Sequence, residues 1–424
     1  MLRRWWASGG LLLAACVSSA PVSPDPTAAV PLDVTGTVEA TVTDTDLPTR
    51  KTLRLWVPPA FEPKADTPAG EELLNQLQQF EQANSGIRVE VRVKRADGTG
   101  GMIDSLHTAM AAATGALPDI IAIDANNLDA ATADDFIIAL DTLVNPDIIA
   151  DYYPFALESV RRNGSIMALP FASDALVAAY ATTAYKAPPT TWEGVLESAF
   201  PVLVPANDPK SLYVVQQYLA LGGTLRDRSD AVALNTNVLT ELLDHYSAER
   251  AAGVLTKNTL DFGTGAETWS AYRELRAPLV ITNAHSYLKD ADTASNTGVG
   301  PAPTQSGKPY VLAEVWSYAL VSKELARESG AWELLEWLTQ PHNLGVWTLK
   351  AGYIPPRATA VESWPPEPRA DFARKVLESA HPTPDAETLA ILGPPIGKAV
   401  RNVIRGHSTT SAAVQDVMQE LAAD

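Results

Sequence analysis

From residue 51 onward the chain switches repeatedly between two hydrophobic periods. Leu53 to Val57 reads as a strand, and Glu71 to Ala83 then carries Leu73, Leu74, Leu77 and Phe80 at helical spacing. Ile87 to Val93 alternates apolar and charged residues in strict period two, which completes a β-α-β unit. Met102 to Thr114 has the size of another helix, and Pro118 introduces a buried strand over Asp119 to Ile123. Helical patterns follow at Ile148 to Arg161, Trp192 to Ser198, Ser211 to Leu221, Val238 to Ala251, Ser329 to Thr339 and Ala412 to Leu421. Between them lie expected strands at Ile166 to Phe171, Leu176 to Tyr180, Leu279 to Thr282 and Val315 to Val321. Strands and helices in this order predict a doubly wound α/β architecture with a mainly parallel sheet.

The first fifty residues follow neither period. Arg3 and Arg4 precede an apolar stretch, Leu11 to Ala15, that is too short to span a bilayer and ends in small residues. The run Leu13-Ala14-Ala15-Cys16 resembles the lipobox of bacterial lipoproteins. That resemblance implies cleavage after residue 15 and a lipid on Cys16, a firm anchor at roughly 0.8 kcal/mol per buried methylene. Residues 16–50 are rich in Ser, Pro, Thr, Ala and Asp and lack aromatic residues, so a flexible tether is expected there.

Composition narrows the function. With 424 residues, at about 150 per domain, two or three compact units are expected. The formal charge of -18 excludes a nucleic-acid partner, which would need a basic face. Because the chain has 1 cysteine, it forms no internal disulfide and no thiolate metal cluster. The six histidines at 107, 245, 285, 342, 381 and 407 make no His-x-x-x-His or His-x-His pair, so no metal is expected. Nucleophile elbows, P-loops and dinucleotide fingerprints are absent as well, and Gly98-Thr-Gly-Gly101 has the spacing of a helix-start turn. No cofactor and no catalysis are expected. A glycosidase, which needs only two carboxylates from distant positions, is the remaining enzymatic alternative.

Several blocks carry a family resemblance in order. They include Leu117-Pro-Asp-Ile-Ile-Ala-Ile-Asp124, Tyr152-Tyr-Pro-Phe through Gly164, and Ile166-Met-Ala-Leu-Pro-Phe-Ala-Ser-Asp174. Further along come Pro189-Thr-Thr-Trp-Glu193, Leu221-Gly-Gly-Thr224, Glu314-Val-Trp-Ser-Tyr-Ala-Leu-Val321, Trp332 to Leu338, Gly352-Tyr-Ile-Pro-Pro-Arg357 and a last helix pair around Ala399 to Leu421. Together they resemble family 1 extracellular solute-binding proteins of ABC transporters, in the maltose and oligosaccharide-binding branch. The resemblance implies a periplasmic-binding-protein-like type II fold: two α/β lobes joined by a hinge, with ligand in the cleft between them. Lobe 1 would take 51–171 and 297–323, and lobe 2 would take 172–296 and 324–424. It also implies a small polar solute such as a sugar, a membrane permease as partner, an extracytoplasmic location and a monomer. A lipoprotein of this fold with a sensory or assembly role is the other reading.

Sugar recognition calls for planar polar groups and aromatic faces at strand ends. Asp124, Asn126 and Asn127 follow the strand Asp119 to Ile123, where sugar-binding relatives place ligand contacts; an Asx turn capping the next helix is the competing account. Asp174 falls at the expected first crossover, as ligand carboxylate or hinge residue. Glu314 and Trp316 stand where relatives return a strand to lobe 1, with Trp316 as the stacking candidate. Asn283 and His285 follow the strand Leu279 to Thr282, and Tyr213 opens a helix. Trp192, Trp332 and Trp337 are read as packing residues. Ile123 and Ile396 occupy places where maltodextrin binders tend to carry aromatic rings, which argues against maltodextrin.

Overall fold

Two sheets share one strand. A computed structural model describes residues 50–63, 66–112, 114–321 and 325–423. The leader, Cys16 and all of the tether except Arg50 lie outside them. In chain order the strands are β1 (Lys51–Val57), β2 (Ile87–Val93), β3 (Ile120–Asp124), β4 (Arg161–Arg162), β5 (Ser165–Ile166), β6 (Leu169–Ala181), β7 (Val202–Leu203), β8 (Leu279–Asn283), β9 (Thr297–Pro301), β10 (Val311–Leu320) and β11 (Ala380–Pro382). Hydrogen bonding runs β2-β1-β3-β10-β6-β8-β7, with β11 on β10, β9 on β6, and β4 and β5 as a separate hairpin.

β1 pairs in parallel with β2 and β3, as the β-α-β pattern predicts. The intervening helix, Pro68–Ala83, starts where Thr67 accepts from the Gly70 N–H and Pro68 fills the first turn, and it buries Leu73, Leu77 and Phe80 against the sheet. The sheets are mixed rather than mainly parallel, because β10 runs antiparallel to both β3 and β6, and β6 runs antiparallel to β8 and β9.

β6 is the strand that the hydrophobic pattern divides in two. Ser173 and Asp174 interrupt its apolar run, yet both are satisfied within the fold and the strand continues through them. The Ser173 hydroxyl donates to the Ile354 carbonyl at 2.8 Å, and the two backbones exchange hydrogen bonds of 2.9 Å. Residues 169–175 pair with β10, and residues 176–181 pair with β8 and β9. The expected helix Ile148 to Arg161 is likewise two helices, Pro146–Ala150 and Pro154–Val160, because Pro154 holds Tyr153 extended at φ -65 and ψ 142.

The fold is thus two α/β lobes, as the resemblance to the type II binding-protein fold implies. Packing differs from the sequence-derived division in two places. β9, counted with lobe 1, extends the second sheet because it pairs with the far half of β6. Helices Leu325–Thr339 and Pro341–Ala351, counted with lobe 2, bury Leu334, Leu335, Leu344 and Trp347 in the cluster that holds Leu53, Leu55 and Ile121. Trp332 packs on this cluster too, as does Trp337, whose indole N–H donates to the Gln76 carbonyl. Among the described residues no helix is long and apolar enough to cross a membrane.

Candidate functional site

A cavity of about 440 Å³ opens at the carboxyl end of β3 and along one face of β10. Asp124 closes β3 and also starts the helix Ala125–Ala133. One of its oxygens accepts from the Asn127 N–H at 2.8 Å and from the Asn127 side chain at 3.1 Å. Asp124 is thus the cap of that helix, and it also lines the cavity. Asn127 is buried and also donates to Asp97 at 3.2 Å, bracing the turn, while exposed Asn126 lines the cavity.

Glu314 and Trp316 are two apart on β10, so their side chains leave the same face of the strand. Trp316 pairs with Asp124 on one side and with Ala172 on the other. Its ring meets Phe61 edge-on at 5.0 Å, and the indole helps to form the cavity wall. Glu314 is open to water but hemmed in by protein. Burial raises its pKa, Lys210 pulls it back, and Asp174 and Asp124 add to the rise. Asp124 is raised by burial and by Asp97, against Asn127 and Lys210.

Asp174 faces Glu314 across the strand pair but spends its oxygens on the protein. One accepts from the N–H groups of Ala175 at 2.8 Å and His285 at 2.9 Å, and the other accepts from the Asn283 amide at 3.1 Å. Burial pushes its carboxyl from the ordinary 3.8 up to about 6, against these donors. His285 lies flat on Tyr353, with ring centroids 4.2 Å apart, and its Nδ1 is 3.1 Å from the Gly352 carbonyl. Burial lowers the His285 pKa and so favours the neutral ring, and since a carbonyl only accepts, Nδ1 is the donor in that contact.

The structure thus gathers Asp124, Asn126, Glu314 and Trp316 at the cavity and places Asp174, Asn283 and His285 in a network beside it. Tyr213 is elsewhere: it is buried in the second-lobe core on the helix Leu212–Ala220, and burial with Glu249 nearby drives its hydroxyl pKa far up. Trp192 is in that core as well, stacked on His245 at 3.9 Å. Ile123 and Ile396 are core residues.

Sequence reasoning missed the charged walls. Arg162 comes from the β4–β5 hairpin and is held by Asp129, and exposed Lys210 comes from the turn before Leu212–Ala220. That turn leans on Gly393, where a Cβ would come within 2.7 Å of the Pro209 carbonyl, and the Ser211 hydroxyl donates to the Gly393 carbonyl at 2.8 Å. Pro209 marks a turn in the sequence, where the structure gives Ser211 a positive φ of 50, but the sequence does not show what that turn faces.

The profile of the bacterial extracellular solute-binding protein family matches residues 75–375. The chain belongs to that family. A solute-binding protein of this kind is an extracytoplasmic receptor and not an enzyme. Among solved structures, the fold is similar to that of a cyclic alpha-maltosyl-1,6-maltose binding protein from Arthrobacter globiformis, with TM-score 0.71, 15% identity, and 88% of this chain and 98% of that one covered. A cyclo/maltodextrin-binding protein complexed with maltotetraose gives 0.71 at 18% identity, covering 88% and 97%. A sugar-binding protein from Xanthomonas citri gives 0.68 at 19% identity, covering 88% and 98%. No group of three or more His, Cys, Asp or Glu among the described residues of this solute-binding protein is arranged to hold a metal ion.

Proposed function

We propose that the protein is a lipid-anchored receptor that closes on a small carbohydrate and hands it to the membrane permease of an ABC importer. The observation that carries the reading is the placement of Trp316 and Glu314 on one strand face beside Asp124, all three lining one cavity. An aromatic face covers the apolar side of a sugar ring, and carboxylates accept from its hydroxyls. The position agrees with the general rule for open α/β sheets, in which ligands sit beyond the carboxyl ends of strands. Similar folds among maltosyl-maltose, maltodextrin and other sugar-binding proteins support the carbohydrate class.

The hinge of this receptor is the β6 and β10 crossing, with the backbone exchange between Ser173 and Ile354 beside it. Closure about it draws the Lys210 wall toward Asp124 and Trp316, and ligand contacts to both sides hold the closed form. The receptor works as a monomer tethered to the membrane through Cys16.

A thermal-shift screen of the purified protein against mono- and oligosaccharides, polyols and sugar phosphates tests the ligand class. A carbohydrate is expected to raise the melting temperature and to be recovered unchanged by mass spectrometry. Stabilisation by a non-carbohydrate solute alone would refute the reading.

A further inference from the structure

The family and the cavity mark where a solute binds; the charges around it bear on which solute. Six carboxylates line the cavity, Asp97, Asp124, Asp129, Glu158, Glu314 and Asp385, against two cations, Arg162 and Lys210. Asp129 already holds Arg162, and Asp385 caps the helix Ala386–Arg405 and meets Arg226 from outside the cavity. Asp97, Asp124, Glu158 and Glu314 then share the cavity with the single ammonium of Lys210, which acts on Asp124 and Glu314.

Burial raises the pKa of both Asp124 and Glu314 and Lys210 only pulls them part of the way back, yet the Lys210 side chain is exposed and makes no ion pair among the described residues. One mobile ammonium cannot neutralise two carboxylates as a guest strips their water. Among the described residues the Glu314 carboxylate accepts no hydrogen bond, and the buried Thr383 hydroxyl at the same wall has no partner. A neutral sugar would leave the carboxylates charged in a drier cleft, and a phosphorylated one would add to the repulsion. A protonated amine relieves both problems, and the Trp316 ring beside the two acids attracts a cation as well as a sugar face.

We infer that the solute is an amine-bearing carbohydrate, its ammonium seated between Asp124 and Glu314 against the Trp316 ring. This rests on the carbohydrate reading proposed above.

Calorimetric titrations should compare glucosamine and its β-1,4-linked dimer and trimer with glucose, cellobiose and cellotriose, and with glucose 6-phosphate. The amine-bearing member of at least one matched pair is expected to bind tenfold or more tightly than its neutral counterpart, with an affinity that falls as salt rises. Glu314→Gln should bring the two affinities together. Equal or tighter binding of the neutral sugars, binding of the phosphate, or a preference untouched by Glu314→Gln would overturn the charge assignment while leaving a carbohydrate receptor in place. If no sugar in this panel or in the wider screen binds, the carbohydrate reading and this inference fall together.

Discussion

Glu314 and Asp174 stand directly opposite each other where β10 crosses β6, and the fold treats these two carboxylates in opposite ways. Asp174 is tied to N–H donors from Ala175, Asn283 and His285, which fasten the middle of β6 to the end of β8. Glu314, one strand away, is turned to the cavity and feels Asp174 as a repelling neighbour. The first ties β6 to β8, and the second lines the cavity.

The Asp174 network makes stability depend on pH in a stated direction. Its folded pKa of about 6 lies above the ordinary 3.8, so the folded state holds a proton that the unfolded chain has released. That contribution is in force at low pH and is lost as pH rises from about 4 through about 6. Above this the ionised carboxylate carries a penalty on the order of 3 kcal/mol. Asp174→Asn keeps an acceptor for the His285 and Ala175 N–H groups and removes the charge. The melting temperature of the variant, taken relative to the wild type, is expected to climb between pH 4.5 and 7.5. A constant difference would mean that Asp174 ionises as it does in an open chain.

Gly393 is a second place where one atom decides the geometry. A Cβ there would meet the Pro209 carbonyl oxygen at 2.7 Å and the Lys210 carbonyl oxygen at 2.8 Å, both of them backbone atoms. Gly393→Ala must push the Lys210 turn away from the helix Ala386–Arg405, at a cost of roughly 1 to 3 kcal/mol. Gly86→Ala, where a Cβ meets nothing within 4 Å, is the matched control and should change stability by less than about 0.5 kcal/mol. Urea unfolding of the two variants separates these outcomes; an unshifted midpoint for Gly393→Ala would show that the turn can yield freely.

How much of this could be read from the chain depended on whether one residue's surroundings were local. β1, β2 and β3 were legible because alternation or a short buried run suffices to specify them; Glu314 and Trp316 stand out in the sequence only through the family resemblance, and being two apart on β10 they share a face of the strand. β6 was read as two strands because Ser173 and Asp174 look like a break, and their partners, Ile354, Asn283 and His285, come from far along the chain. Lys210 and Arg162 were missed for the same reason: loop cations acquire a role only once folding sets them across from Asp124 and beside Asp129. Tyr213 reads as a site candidate from its place at the start of a second-lobe helix, near another aromatic position. Its helix buries Val214, Val215 and Tyr218 as well, and the sequence does not show that Tyr213 is buried with them.

The anchor is tested by where the protein goes. Cys16 is the only thiol in the sequence, so Cys16→Ser removes the sole acceptor for a thioether-linked lipid and leaves residues 50–423 unchanged. The wild type is expected in the membrane fraction and released by detergent, and the variant in the soluble extracytoplasmic fraction. A variant that still sediments with membranes would show that something other than Cys16 holds it there.

Trp316 both packs on Phe61 and lines the cavity, and its parts in stability and in the proposed recognition can be separated by choosing the substitution. Its ring has one side against Phe61, which also meets Phe171, Trp347 and Tyr353 edge-on, and another side in the cavity wall. Trp316→Ala removes both contacts. Because the ring is only partly buried, the stability loss should fall below the roughly 3 to 5 kcal/mol of a fully buried aromatic, at about 2 kcal/mol. Affinity for whichever saccharide binds should drop at least tenfold, about 1.4 kcal/mol. Trp316→Leu restores apolar volume against Phe61 but offers no flat face, whereas Trp316→Phe restores a smaller face. If the ring is a stacking platform, Leu should recover stability without affinity, and Phe should recover part of both, measured by urea unfolding and calorimetric titration side by side. Leucine matching the wild type in affinity would reduce Trp316 to a packing residue and move the sugar face elsewhere in the cavity.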